Sequence, residues 1–184
     1  AMPLFKAAAD QQDNLLQRLH GIWGLGQTMR QTPQTSEFWD AYWKWFQVED
    51  PTPATILEAY LTDEDAEVRA QAAKTLGDLR AKGAGPALTN LLRDESARVR
   101  SFAAIGLGRL SYKPALPGIV EMIKENADAD PYLRHAGVMA LTMMKDRGAV
   151  LALAEHDSKS VRLASALVLR RWKDAEIARY LNDA

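Results

Sequence analysis

Three histidines, His20, His135 and His156, are the chain's only imidazoles, and their positions argue against metal chemistry. No two are spaced to share one helix face, and none forms a His-Glu pair, so no zinc or di-iron ligand set can be assembled from them. Cysteine is absent, which excludes disulfides, thiolate catalysis, cysteine zinc sites and a Cys-x-x-Cys-His haem attachment. Serines and carboxylates are plentiful, but nothing pairs a nucleophile with a base. Gly24-Leu25-Gly26 and Gly106-Leu107-Gly108 lie inside helical pattern with no strand before them. They read as sites of close helix packing rather than phosphate cradles. The expectation is no catalytic residue, no bound cofactor and no metal ligand.

Two other groupings hold more promise. Arg18, Arg69, Arg100, Arg134 and Arg162 recur at one helical position and would form a ladder along one edge. Such a ladder either pairs with capping aspartates of its own or the next unit and stitches the stack, or presents its charge to phosphates or an acidic peptide. Asp63 and Asp94 recur in step with it, which favours stitching. The second grouping is Phe38-Trp39-Asp40-Ala41-Tyr42-Trp43-Lys44-Trp45-Phe46. On a helix its six aromatics fall on roughly half the circumference. Each ring can bury about 150–250 Å², so the stripe must pack against something. It either covers the first repeat unit or docks a partner. Trp39, Trp43 and Trp45 are the candidate partner-binding residues, with Trp43 expected inward and Trp39 or Trp45 partly exposed.

The elements that would position these residues come from an internal repeat. Val68-Arg69, Ala72-Ala73, Leu76-Gly77, Leu79, Pro86, Leu88 and Leu91-Leu92 recur 31 residues on as Val99-Arg100, Ala103-Ala104, Leu107-Gly108, Leu110, Pro117, Ile119 and Met122-Ile123. A fixed period of this length means stacked supersecondary units. Apolar residues three and four apart predict two helices per unit. Asp63 and Asp94 are expected to cap the first helix of their units, and Asp130-Pro131 is a cap followed by proline at the first helical position. The chain reads as one domain, 1–184. Unit one spans about 14–62 with an insertion at 31–50, and the others span 63–93, 94–127, 128–156 and 157–183. Residues 3–9 read as the last helix of a preceding unit.

Bulk composition bounds the partners. The 184 residues are 47% hydrophobic and 26% charged, which is globular rather than disordered. Lys+Arg 23 against Asp+Glu 24 leaves net charge -1. No general field favours nucleic acid or an anionic membrane. No apolar run approaches the roughly 18 residues that would span a bilayer, so no membrane insertion is expected.

The run Asp63–Asp94 carries Asp-x-x-x-x-Val-Arg-x-x-Ala-Ala-x-x-Leu-Gly-x-Leu followed by Ala-Leu-x-x-Leu-Leu-x-Asp. This resembles HEAT repeats, in particular the short bacterial class also seen in phycobilin-lyase-like proteins. The resemblance implies an all-α, right-handed α-solenoid of antiparallel helix pairs, used as a protein-binding scaffold. Its motif residues are structural, so it transfers no catalytic residue. The segment Arg18–Gln27 is similar to the HEAT segment of large extracytoplasmic bacterial proteins. In those, a sorbosone-dehydrogenase-like propeller precedes the repeats and a c-type cytochrome follows. That similarity implies a spacer or docking segment within a bacterial dehydrogenase-cytochrome chain. The expected function is therefore non-catalytic binding of a protein partner or a neighbouring domain. A nucleic-acid-binding HEAT protein is the rival, against which the charge balance speaks. An enzyme of the bilin-lyase kind is a further rival with no residue in its favour.

Overall fold

Helices account for every regular element among the described residues of the computed structural model, which are 1–31 and 53–180. They are α1 (Met2–Ala9), α2 (Leu15–Gln31), α3 (Pro53–Glu58), α4 (Ala66–Leu79), α5 (Gly85–Asn90), α6 (Ala97–Leu110), α7 (Leu116–Asn126), α8 (Pro131–Met144), α9 (Arg147–Ala152) and α10 (Lys159–Trp172). Short 3-10 turns extend several of them, and the 3-10 segment Ala175–Tyr180 follows α10. The expected insertion, apart from Gln31, lies outside the described residues.

Two layers result. The longer helices α2, α4, α6, α8 and α10 pack each on the next, and each of α1, α3, α5, α7 and α9 packs on the long helix that follows it. Spacing in the sequence explains the burial. Val68, Ala72 and Leu76 of α4 are fully buried, as are their counterparts Val99, Ala103 and Leu107 of α6. The alanines keep this face short, so backbones come close. A Cβ on Gly77 would lie 2.6 Å from the Gly106 Cα, and one on Gly108 would lie 2.7 Å from the Ala140 Cα. Gly26 meets Thr75 in the same way. The equivalent positions at the last joint are Thr142 and Val168, with no glycine, and α8 and α10 pack over much less of their length.

Helix starts differ from the expectation in one respect. The residue capping α4 is Asp65, whose Oδ1 accepts from the amides of Glu67 (2.7 Å) and Val68 (3.4 Å). Asp63 stands two residues earlier, in extended backbone, and accepts from the Asp65 amide (3.0 Å). Asp94 does the same for Ser96 (2.9 Å). A turn before the helix leaves the aspartate free to face the neighbouring unit, which a cap could not do. Asp130 does cap α8, accepting from Tyr132 and Leu133.

Helix ends carry no glycine. Arg80, Ser111, Lys145 and Lys173 follow α4, α6, α8 and α10 with φ between 52° and 57°. Ser111 donates to Gly108 O and Tyr112 to Leu107 O, both at 3.0 Å. The same pair of bonds closes α4 and α10. This is the Schellman closure, here made by residues that pay for a left-handed conformation.

Candidate functional site: the arginine row and the clefts beside α8

The arginine row divides into rungs of two kinds. Arg18 is buried at the start of α2 and grips Asp63 of the next unit with both terminal nitrogens, while its Nε donates to Ala9 O (3.2 Å). Arg69 holds Asp94 through Nε (2.8 Å) and a terminal nitrogen (2.9 Å). Its remaining nitrogen donates to the carbonyls of Asp63 (2.8 Å) and Glu64 (3.0 Å). Planar forks of this kind are the strongest arginine–carboxylate geometry. Burial works against the charge on Asp63 and Asp94, but the hydrogen bonds from arginine and backbone amide, with the guanidinium charge, outweigh it. Each carboxyl is held below its ordinary value of 3.8.

Beyond Arg69 the pattern changes. Arg100 donates to the carbonyls of Asp94 (2.6 Å) and Glu95 (3.0 Å), as Arg69 does with the carbonyls one unit earlier, but makes no ion pair with a carboxylate among the described residues. Two causes are visible. From Asp94 to the equivalent Asp128 is 34 residues rather than 31, and the extra chain passes through left-handed Ala127 and Asp128. Asp128 then pairs with Arg134 of its own unit. One unit further on, the aspartate position is His156, whose Nδ1 accepts from the Ser158 amide (3.0 Å) as Asp94 does from Ser96. Imidazole reproduces the turn but offers Arg134 no carboxylate. Arg162 donates to the carbonyls of His156 and Asp157 (both 3.0 Å). The row is thus cross-linked at its first two steps, and the aspartate expected opposite each arginine is not met at Arg100.

Trp39, Trp43 and Trp45 lie outside the described residues. The histidines stand apart: His20 and His135 are exposed on α2 and α8, and His156 serves the turn described above. No group of three His, Asp or Glu side chains converges on a metal-sized space among the described residues. No described helix is long and apolar enough to cross a membrane.

Sequence reasoning missed two clefts flanking α8. Between α6 and α8 lies an apolar cleft of about 380 Å³, whose walls include Phe102, Ile105 and Tyr132. Arg98 spans its edge, stacked 5.2 Å from the Phe102 ring and paired with Glu67 at 2.9 Å. Between α8 and α10 lies a second cleft, of about 460 Å³, lined by Arg134, Arg170, Arg171, Val138 and Leu167 with no carboxylate. His135 borders both. On its other side α10 is fastened to the short helices. Ser160 Oγ donates to Ile123 O (3.1 Å), and Ser165 Oγ donates to Val150 O (2.6 Å) and accepts from Tyr180 (2.6 Å). A run Arg170-Arg171 at the end of an amphipathic helix was the available signal, but periodicity alone could not show that the neighbouring helix leaves it room.

Comparison with known proteins fits this architecture. A sequence profile of HEAT repeats matches residues 53–142. No curated protein matches. Among solved structures, the complex of CpcE and CpcF of phycocyanin lyase from Nostoc sp. PCC7120 is similar with TM-score 0.66 and 22% identity, over 98% of this chain and 68% of that one. A designed armadillo repeat protein in complex with the peptide (KR)4 gives TM-score 0.57 and 15% identity, over 99% and 87%. An engineered protein gives 0.55 and 18%, over 91% and 77%. Identities this low show the fold alone. Stacked helix pairs and the 31-residue repeat give this chain an α-solenoid fold of helical repeats, of which residues 53–142 match HEAT repeats.

Proposed function

We propose that the chain is a non-catalytic scaffold that holds a protein partner, or a neighbouring domain of the same parent chain, on the surface of its long-helix layer. The observation that carries this is the display of large apolar side chains on ordered, tightly packed helices. Trp23 is 52% exposed and Leu16 64% on α2, and Tyr132 is 82% exposed on α8. Aromatic and aliphatic side chains held rigidly in solvent are the anchors around which protein interfaces form. Proteins of the same fold are found with partners: CpcE is in complex with CpcF, and the designed armadillo protein with a peptide. Trp39, Trp43 and Trp45 are proposed as a second docking element on sequence grounds alone, and the cross-unit arginine pairs as structural. Placement inside a dehydrogenase-cytochrome chain rests on the Arg18–Gln27 segment, and the comparisons lend it no support.

Selection of displayed random peptides on the immobilised, folded chain tests the reading. Enriched peptides should be displaced by one another and should lose binding when Trp23 or Tyr132 is replaced by Ser. Failure of any peptide to enrich over an unrelated helical protein overturns it.

A further inference from the structure

We propose that the two clefts beside α8 together bind one extended acidic segment of a partner protein, with an aromatic or large aliphatic residue in the α6–α8 cleft and carboxylates in the α8–α10 cleft. The proposal rests on the scaffold reading and names the chemistry of the partner. Charge complementarity is the first argument. Arg134, Arg170 and Arg171 converge on one cleft that has no acidic lining. Of the three, only Arg134 has a carboxylate partner, Asp128; the side chains of Arg170 and Arg171 have none among the described residues. Val138 and Leu167 give the cleft apolar walls. Such walls lower the local dielectric and strengthen a guanidinium–carboxylate bond relative to open solvent.

Geometry supplies the second argument. His135 forms the ridge between the two clefts. Neighbouring packed helices stand about 8–10 Å apart, and an extended chain advances about 3.3 Å per residue. Side chains of an extended chain alternate in direction, so a segment crossing α8 places residues two or four apart into the two clefts. Each cleft has room for side chains rather than for a base-paired helix. Along the preceding long helices, Arg98 is paired with Glu67, and Lys74 and Arg109 are both paired with Asp78. A nucleic-acid backbone laid along these helices would find those three cations already neutralised, so a short acidic peptide at the clefts beside α8 is the better fit.

The probe is a fluorescein-labelled Gly/Ser peptide carrying one Trp with an Asp-Asp pair three and four residues from it, followed by fluorescence anisotropy against the whole chain. Arg170→Glu/Arg171→Glu alters only exposed positions and should weaken binding about tenfold or more. Tyr132→Ser should weaken it by a smaller factor, and binding should fall as salt rises. Peptides with Lys-Lys for Asp-Asp, or with Ser for Trp, should bind measurably worse. Equal binding of the Lys peptide, or unchanged binding by the double variant with its helical spectrum intact, overturns the proposal. So does tighter binding of a ten-nucleotide single strand that the same variant abolishes. If displayed peptides enrich on the chain but are indifferent to Arg170→Glu/Arg171→Glu, the scaffold reading stands and this site falls; if none enrich, both fall.

Discussion

At the scale of single residues, the arginine row makes two sharp contrasts. Arg69 and Arg100 share a repeat position and the same two carbonyl acceptors, but only Arg69 holds a carboxylate. Arg69→Ala strands a nearly buried Asp94, which should cost about 3–5 kcal/mol. Arg100→Ala forfeits hydrogen bonds to carbonyls and should cost about 1 kcal/mol. Urea unfolding of the two variants side by side checks this, and equal losses would contradict the assignment. The acid limb gives the second contrast. Asp63 and Asp94 titrate below their ordinary value of 3.8 when folded, so between those values the unfolded chain binds more protons. Their contribution is complete above the ordinary carboxylate range and is lost as pH falls through the lowered folded values. Asp94→Asn should therefore lower stability at neutral pH and flatten the decline below about pH 4. An unaltered slope in acid denaturation curves would show that other carboxylates drive it.

At the scale of elements, the helix ends and the helix contacts each suggest a substitution. Ser111 and Lys145 occupy left-handed backbone that glycine adopts freely. Ser111→Gly and Lys145→Gly should each stabilise by up to about 1 kcal/mol, read as a melting rise of about 2–4 °C. A lower melting point in both would mean that their side chains contribute more than the backbone costs. Gly77→Ala acts in the other direction. Its Cβ would meet the Gly106 backbone at 2.6 Å, and backbone cannot rotate away. A loss of about 1–3 kcal/mol is expected, and Gly83→Ala, which meets nothing within 4 Å, is the control. These same elements show what the sequence could reveal. The period-31 pattern exposed the helix pairs, the buried Leu76 and Leu107 and the close glycine contacts, because each depends on residue type at a fixed spacing. It misplaced the cap at Asp63, since an aspartate that turns the chain and one that caps a helix look alike in a string. It could not show the break at Arg100, where three added residues and one histidine redirect the partners. It missed the clefts, because an opening depends on how far apart two helices stand.

At the scale of the whole molecule, the joints between long helices are unequal. α4, α6 and α8 meet closely through glycine and alanine, whereas α8 and α10 touch over less of their length. In a linear stack, each unit's stability is its own plus that of its contacts with its neighbours. Amide hydrogen exchange should therefore reach α10 and the Ala175–Tyr180 segment before α4 and α6, and uniform protection across all four would contradict the ranking. The loose joint also bears on cooperativity. A chain that parts first at one seam does not unfold all at once, so its calorimetric enthalpy should exceed the van't Hoff value taken from the same melting curve. A molecule wedged between α8 and α10 would bridge that seam, and the two enthalpies would then converge. Widening one gap between two helices thus makes the sharpness of melting a gauge of occupancy.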